Sequence, residues 1–271
     1  MQQSVKIFRI ILPLVLASAP AWSTCTNWIA SPELATQSSR WTEYNASGNK
    51  IVEERGTLQT HGVAISTQCN TARWSLTLQD THGQRDYRGL SNRGQMLETR
   101  SSIRHHEWNL AANIPITSDW FWDIRLHNHR IDRNLESIAQ ASGYAENFRY
   151  WIAETGFELH KPLSSQWAWT AGAWIGHIPS GRMYVDLPNA DPVTLRLGTG
   201  YTTEWRTGLS YNPTGTVTGW QWLATWRVRT ESISAGADRT LFRGQQLVGS
   251  ARQPETRQHS SQLALQAQYR F

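Results

Sequence analysis

A strict alternation of side-chain character, repeated along most of the chain, constrains its fold more than any other feature. The segment 119–130, DWFWDIRLHNHR, is the clearest example, with apolar and polar side chains at alternate positions. Its apolar face carries Trp120, Trp122, Ile124 and Leu126, and its polar face carries Asp123, Arg125, His127 and His129. Because successive side chains of a β-strand point to opposite sides, the pattern predicts a strand. The same alternation occurs within 72–80, 97–116, 148–163, 193–211, 220–231 and 260–271.

The last of these strands runs to the final residue. The segment 261–271, SQLALQAQYRF, places Leu263, Leu265, Tyr269 and Phe271 on one face. It resembles the terminal assembly strand of Gram-negative outer-membrane β-barrel proteins, which is apolar at alternate positions and ends in Phe. The resemblance implies an all-β fold, a closed antiparallel transmembrane barrel in the outer membrane. It also implies recognition by the barrel assembly machinery through Leu265, Tyr269 and Phe271.

The N-terminus predicts export. Lys6 and Arg9 precede a short apolar run at 10–17, and Ala21-Trp22-Ser23 offers small residues for cleavage by signal peptidase. We expect residues 1–23 to be a signal peptide, 24–35 a periplasmic N-terminal tail and 36–271 the barrel. No later stretch of the sequence is long and apolar enough to predict a spanning helix.

The connections between strands alternate in length. Short turns are predicted near 68–71, 117–119, 164–166 and 212–219, and long polar loops near 81–95, 130–147, 178–192 and 232–258. Short periplasmic turns and long outer loops are usual in bacterial outer-membrane barrels. We predict about ten strands, with eight or twelve as alternatives. Their predicted positions are 36–46, 56–67, 72–80, 97–116, 120–130, 148–163, 167–177, 193–211, 220–231 and 260–271.

Tryptophan is unusually frequent, with 15 in 271 residues. Three Trp-x-Trp pairs each follow a predicted short turn: Trp120 and Trp122, Trp167 and Trp169, Trp220 and Trp222. Since tryptophan prefers the level of lipid headgroups, the pairs predict a girdle at the periplasmic membrane interface. The alternative is the core of a soluble β-sandwich, but a core would not gather its tryptophans at one end of its strands.

The two cysteines, Cys25 and Cys69, both belong to the exported part of the chain. Because the periplasm is oxidising, we expect them to form a disulfide, worth roughly 4 kcal/mol on the chain-entropy model. The predicted topology puts both on the periplasmic side, where the bond would tie the N-terminal tail beneath the barrel.

A ten-stranded barrel is filled largely by side chains, so the charged faces of its strands are expected to meet inside it. Counting upward from the short turns brings five residues to one height near the outer mouth: Glu107, His129, Glu154, Glu204 and Arg229. The set expected to face the lumen also includes His105, Asp123, Arg125, His127, Glu158, Arg196 and Glu231. Two interpretations stay open. One is a plug of salt bridges, since buried charges must be paired, and the other is an acid/His catalytic site open to the outside.

His127 and His129 lie on one face and could both ligate a metal. The sequence offers no convincing third ligand beside them. We therefore expect no metal and no cofactor.

In strand number and size the chain resembles the omptin proteases. Their pattern needs an Asp-x-Asp pair and an Asp-x-His pair at the mouth of the barrel. Asp80-Thr81-His82 has the second form, but no Asp-x-Asp occurs in the sequence. His259-Ser260-Ser261 has the His-x-Ser form of the lipid A deacylases, without the downstream acid of that family. The resemblance to omptins therefore extends to architecture only.

The formal net charge is +5 and the sequence pI is near 9.5. The absence of a basic run or nucleic-acid motif argues against a nucleic-acid partner. Predicted outer loops are rich in arginine, at Arg85, Arg88, Arg93, Arg182, Arg239, Arg243, Arg252 and Arg257. Such loops suit contact with lipopolysaccharide phosphates or an external partner.

The sequence thus predicts a monomeric barrel in outer-membrane lipid, with a plugged lumen and a binding or structural role. The alternative is a hydrolase at the extracellular mouth, either an omptin-like protease or a lipid A-modifying enzyme.

Overall fold

The computed structural model describes residues 25–90, 94–139, 141–215 and 218–271. The predicted signal peptide lies outside these residues. Within the described ranges, no helix is long and apolar enough to cross a membrane. The strands, in chain order, are β1 (Cys25–Tyr44), β2 (Lys50–Cys69), β3 (Ala72–Leu90), β4 (Met96–Pro115), β5 (Trp120–Leu135), β6 (Ala145–Pro162), β7 (Trp167–Ile178), β8 (Gly181–Asp186), β9 (Val193–Leu197), β10 (Gly200–Tyr211), β11 (Gly219–Ile233), β12 (Arg239–Arg243), β13 (Gln246–Ala251) and β14 (Glu255–Arg270).

Ten strands form a closed antiparallel barrel, which confirms the predicted fold class. Their order is β5-β4-β3-β2-β1-β14-β11-β10-β7-β6, and β5 pairs with β6 to complete the circle. Each of these ten strands therefore pairs with a neighbour on both sides. Above β7 and β10 the hairpin of β8 and β9 continues the wall, since β8 pairs with the upper part of β6. The hairpin of β12 and β13 forms a separate small sheet between β11 and β14.

Several strands are longer than predicted. β1 begins at Cys25, so residues 25–35, which we expected to form a tail, are part of the barrel wall. β3 and β5 continue to Leu90 and Leu135, through segments expected to be loops. The outer face of these upper parts carries charged side chains such as Arg88 on β3 and Arg130 on β5. Apolar alternation, the signal used to find strands, is therefore missing there.

The predicted disulfide between Cys25 and Cys69 is confirmed. The two residues stand directly opposite each other in the pairing of β1 with β2. The bond therefore joins the periplasmic ends of two neighbouring strands of the wall. It does not attach a separate tail, as we had expected.

A band of exposed apolar side chains surrounds the lower half of the barrel. The three predicted tryptophan pairs all lie on its outer face beside short turns: Trp120, Trp122, Trp167, Trp169, Trp220 and Trp222. Ile124, Ile175 and Leu263 are among the exposed residues above them. On β5 the outer face changes to charge at Arg130, ten residues above Trp120. At roughly 3.3 Å a residue and a tilt of about 40°, that distance spans roughly 25 Å of height, the thickness of the apolar band in outer-membrane barrels.

Candidate functional site

The inward face of β5 passes through every layer of the lumen. Six side chains on it, none more than 5% exposed, follow one another from the periplasmic end upward: Asp123, Arg125, His127, His129, Ile131 and Arg133. The filling of the lumen therefore changes with height from polar to apolar and back to polar.

A polar cavity of about 320 Å³ occupies the periplasmic half of the lumen. Its wall includes Arg73, Glu107, Asn109, Arg125, Glu158, His160, Arg206, Gln268 and Arg270. Glu158 is held there by His160 at 2.8 Å and Arg206 at 2.8 Å. Several of these residues stand next to the short turns, so the cavity lies on the periplasmic side.

Trp174 fills the lumen at the height of Asp123 and is 2% exposed. Two glycines provide the space for its ring. A Cβ on Gly172 would lie 2.2 Å from the indole, and one on Gly156 would lie 2.4 Å from it. The indole Nε1 donates a hydrogen bond to Asp123 at 3.0 Å, and the Arg125 guanidinium stacks over the ring at 3.9 Å.

His127 is the centre of the charged layer above Trp174. Its Nδ1 lies 2.8 Å from Glu107 Oε1, and its Nε2 lies 2.9 Å from Glu154 Oε2. An imidazole can donate to two carboxylates at once only when both nitrogens carry a proton. The ring therefore bridges the walls formed by β4 and β6.

Arg229 connects this layer to the far wall. It donates to Glu154 at 2.7 Å, Glu204 at 3.1 Å and Glu231 at 2.8 Å. Glu204 also accepts from Arg125 at 2.9 Å, and Glu231 accepts from the Tyr150 hydroxyl at 2.9 Å. The carboxylates of three strands are thus held by two guanidinium groups.

The structure brings together all five residues that the sequence grouped. Glu107, Glu154, Glu204 and Arg229 belong to the network around His127, and His129 Nε2 lies 3.8 Å from Glu107 Oε2. The central position of His127 was missed. Strand tilt moves neighbouring strands by several residues relative to a simple count, so the count selected the histidine one inward position too high.

The expected opening of this group to the outside is wrong. An apolar layer lies above it, built from Trp41, Leu58, Ile103, Ile131, Phe148, Ile178, Leu195 and Ile233, none more than 4% exposed. His127 and His129 are each 1% exposed. The group is therefore a buried layer in the middle of the barrel and lies far from the mouth.

A second charged cluster closes the lumen above the apolar layer. Arg133 contacts Glu43 at 2.9 Å, Glu54 at 2.6 Å and Glu146 at 2.5 Å. Arg85 lies 3.6 Å from Glu54, so three carboxylates share two guanidinium groups. Burial raises the pKa of Glu146 to about 7, and attraction to Arg133 offsets only part of this effect. Below about pH 7, a proton on Glu146 therefore relieves the excess of one carboxylate in this cluster.

One set of three residues in the lumen could hold a metal. His105, Glu107 and His129 each offer a ligand atom within 4.8 Å of the others. The sequence had suggested the pair His127 and His129 and no third ligand. Two further ligands, His105 and Glu107, come from β4. They lie near His129 because the pairing of β4 with β5 sets Glu107 opposite His129.

The outer wall carries four arginines in direct register, which we call the arginine row: Arg130, Arg149, Arg182 and Arg196. Arg130 pairs with Arg149 across β5 and β6, Arg149 with Arg182 across β6 and β8, and Arg182 with Arg196 across β8 and β9. All four side chains are exposed. We expected Arg196 to face the lumen and Arg182 to lie in a loop. The interruptions at 179–180 and 198–199 switch the faces of both strands, so Leu195 and Leu197 point inward and Arg196 points outward.

No protein-family model matches the chain, and no curated protein matches it either. Among solved structures, the outer membrane protease OmpT from Escherichia coli is similar, with a TM-score of 0.60 and 11% identity over 90% of this chain and 97% of that one. The translocator domain of autotransporter NalP from Neisseria meningitidis has a TM-score of 0.43 and 11% identity over 98% and 96%. The attachment invasion locus protein Ail of Yersinia pestis has a TM-score of 0.35 and 13% identity over 91% and 99%. The fold is that of an outer-membrane β-barrel.

Closed barrels satisfy every backbone polar group within the wall, which permits them to cross hydrocarbon. The fold and the exposed apolar band together place this outer-membrane β-barrel in the outer membrane of a Gram-negative cell. The arginine row lies at the upper edge of that band.

Both enzyme motifs seen in the sequence lie on the outer face of this outer-membrane β-barrel, away from the lumen. Asp80 and His82 lie on the outer face of β3, where Asp80 contacts His106 at 2.9 Å and Arg104 at 3.2 Å. His259 and Ser261 also face outward, as predicted, but His259 contacts Thr230 at 3.2 Å, and Ser261 accepts from Trp226 at 2.9 Å. The two motifs therefore make separate contacts along the wall.

Proposed function

We propose that the protein is a closed, non-conducting barrel that binds lipopolysaccharide at its outer wall. In this proposal the arginine row binds the phosphate groups of the lipid. The observation that carries the proposal is the register of four arginines across four adjacent strand segments. The charge of these arginines, their height on the wall and the blocked interior of the barrel all favour binding at the outer wall.

The charge of the row calls for an anionic partner. Cβ atoms of directly opposed residues are about 5 Å apart, and like charges placed so are destabilising. Arg149 donates to Asn147 at 2.9 Å, and Arg130 lies 3.6 Å from Asp132. Arg182 and Arg196 make no ion pair with any residue in the described ranges. A phosphate accepts paired hydrogen bonds from guanidinium groups and would relieve the repulsion.

The height of the row matches the headgroups of the outer leaflet. Trp151 lies two residues below Arg149 on the same outward face, and its ring packs against Trp108 at 4.9 Å. Below this pair the wall is apolar, and above it the wall is charged. Lipid phosphates therefore lie at the level of the row when acyl chains cover the band.

The blocked lumen supports binding in preference to transport. The His127 layer, the apolar layer and the Arg133 cluster lie one above another across the barrel. Ions would have to cross all three layers. The same burial argues against the hydrolase alternative, since a substrate outside the cell would have no path to Glu107 or His129.

Two narrower proposals concern assembly. We propose that the barrel is a monomer and that Leu265, Tyr269 and Phe271 are recognised by the barrel assembly machinery. The outward position of these side chains supports recognition by the assembly machinery. The end of the chain is also held in the sheet, because the Phe271 amide donates a hydrogen bond to the Trp28 carbonyl at 3.0 Å.

The test compares two triple variants of the purified barrel in neutral detergent. One removes charge from the row with Arg149→Gln, Arg182→Gln and Arg196→Gln. The control removes equal charge from exterior arginines that have acidic partners, with Arg88→Gln, Arg104→Gln and Arg257→Gln. We expect lipopolysaccharide to bind the row variant at least tenfold more weakly than the control. Equal affinity in both variants would refute the proposal.

Three further measurements accompany the titration. Lipopolysaccharide stripped of its lipid A phosphates should bind the wild type and the row triple variant with equal affinity. Planar bilayers should show no conductance through the wild type. Whole cells should hydrolyse neither peptide nor lipid A, and hydrolysis lost in both Glu107→Ala and His129→Ala would favour the enzyme instead.

A further inference from the structure

Three potential metal ligands meet at the centre of the lumen, in a place unrelated to the outer wall. His105 and Glu107 are two residues apart on β4, so both side chains point inward. His129 stands directly opposite Glu107 on β5. One ligand atom from each of the three lies within 4.8 Å of the others.

One nitrogen of this group has no partner. His129 is 1% exposed, and its Nε2 is buried without a hydrogen bond. It faces Glu107 Oε2 at 3.8 Å, which is too long for a hydrogen bond. Its Nδ1 lies 3.0 Å from His105 Nε2. Each imidazole gives a zinc ion only one nitrogen, and two atoms bound to one ion at about 2.0–2.2 Å are roughly 3–4 Å apart. The three ligand atoms, now within 4.8 Å of one another, would therefore have to approach by up to about 1 Å.

From this geometry we propose that His105, Glu107 and His129 bind a late first-row divalent metal, with zinc as the ion to test. Two imidazoles and one carboxylate suit zinc, which takes His nitrogen and Glu oxygen at such distances.

The surroundings fix the orientation of the carboxylate. The second oxygen of Glu107 contacts His127 at 2.8 Å, and His127 is held in turn by Glu154 at 2.9 Å. Such supporting hydrogen bonds orient the ligands of metal sites and strengthen binding. On the other side, the ring of His129 stacks on Tyr150 with centroids 5.0 Å apart.

The charge of the site also favours a cation. Arg125 and Arg229 are occupied by Asp123, Glu154, Glu204 and Glu231. Among the described residues, Glu107 makes ionic contacts only with the imidazoles of His127 and His129. The charged ring of His127 is shared between Glu107 and Glu154, so the buried charge of Glu107 is only partly compensated. A divalent ion bound by His129 supplies that compensation.

The metal would enter from the periplasm. Glu107 and Asn109 both line the periplasmic cavity, whose volume of about 320 Å³ holds several water molecules. Asn109 occupies the next inward position below Glu107, and its side-chain oxygen is buried without a partner. The apolar layer closes the path from above.

The first experiment measures zinc binding by the full barrel, stripped with a chelator and kept in neutral detergent. Zinc chloride is titrated against a chromophoric chelator, and retained metal is counted by mass spectrometry. We expect one zinc per chain, lost in His105→Ala and in Glu107→Gln. The supporting variant His127→Asn should weaken binding by about 10- to 100-fold. Heat-modifiable gel migration verifies that each variant folds.

The control is a pair of histidines on the outer wall. The rings of His61 and His82 stack with centroids 5.5 Å apart and are exposed, so they could take zinc adventitiously. His61→Ala and His82→Ala should leave the stoichiometry unchanged. Loss of zinc in these variants, or full retention in Glu107→Gln, would overturn the proposal.

A second measurement requires no variant. Cobalt(II) added to the wild-type barrel should give ligand-field absorption bands, and X-ray absorption of the zinc form should show scattering from two imidazoles. A spectrum with oxygen ligands alone would place the metal elsewhere. In vesicles where all barrels have one orientation, zinc added on the side of the periplasmic end should bind, which would agree with the proposed entry path. Binding of zinc added only on the side of the outer end would contradict it.

Discussion

The barrel carries two sets of arginines that differ in burial and in the charge of the groups they contact. Inside, Arg125, Arg133 and Arg229 are at most 7% exposed, and each contacts two or more carboxylates. Outside, Arg182 and Arg196 are exposed and stand beside further arginines. The inner arginines have carboxylate partners within the barrel, whereas no described residue forms an ion pair with Arg182 or Arg196.

The two sets are therefore expected to differ in their effect on the stability of the fold and on the proposed binding. A buried ion pair that loses one partner leaves an uncompensated charge, so removal of an inner arginine should damage the fold. An exposed arginine facing other arginines costs stability, and under the proposed function a bound phosphate offsets that cost. The same substitution should therefore have opposite consequences on the two sides of one wall.

The largest effect is expected from Arg229→Met. This variant removes the group that holds Glu154, Glu204 and Glu231, and leaves these carboxylates buried with too few partners. We expect the free energy of unfolding to fall by about 3–5 kcal/mol, measured by urea unfolding in phospholipid vesicles. Arg104→Met, which removes an exposed pair with Asp80, should cost about 1 kcal/mol or less. Equal losses in the two variants would erase the distinction between inner and outer arginines.

A pH profile examines the upper inner cluster. Burial raises the pKa of Glu146 from 4.5 to about 7 in the folded protein. Its proton therefore stabilises the fold fully below about pH 4.5, and this contribution disappears as the pH rises through about 7. The loss should be on the order of 3 kcal/mol. Glu146→Gln keeps the shape without the titration and should flatten this part of the profile. Parallel profiles for the two proteins would contradict the assignment to Glu146.

Ionic strength examines the outer row. If Arg149, Arg182 and Arg196 bind phosphates at the membrane surface, salt should weaken the interaction, because exposed charges are screened. Between about 0.05 M and about 0.5 M salt we expect lipopolysaccharide affinity to fall about tenfold, or about 1.4 kcal/mol. The row triple variant should show a much smaller dependence. Titration calorimetry at several salt concentrations measures both, and identical slopes would contradict phosphate binding by the row.

The sequence predicts one of these two sets far better than the other. Alternation on β5 assigns Asp123, Arg125, His127 and His129 to the lumen, and the structure agrees. Heights were less predictable, because tilt and register between strands have no local signal. His129 was therefore chosen where His127 is central, and the apolar layer above both was missed.

The arginine row had no signal in the sequence at all. Its members come from four separate segments and meet only through the pairing of β5, β6, β8 and β9. Arg196 was assigned to the wrong face because the break at 198–199 reverses the alternation. The upper parts of β3 and β5 were missed for a related reason, since a wall exposed to water on its outer face does not alternate in polarity.

The smallest expected effect has the most informative sign. Arg182 has an arginine on each side, Arg149 and Arg196, so Arg182→Gln relieves repulsion in both directions. In neutral detergent without lipopolysaccharide, we expect the free energy of unfolding to rise by a few tenths and at most about 1 kcal/mol. Arg104→Gln, which breaks a surface pair, should lower it by a similar amount. Added lipopolysaccharide should stabilise the wild type more than Arg182→Gln and so reverse their order. A loss of stability in Arg182→Gln without the lipid would mean that the row already has partners within the barrel, and the contrast between the two walls would fail.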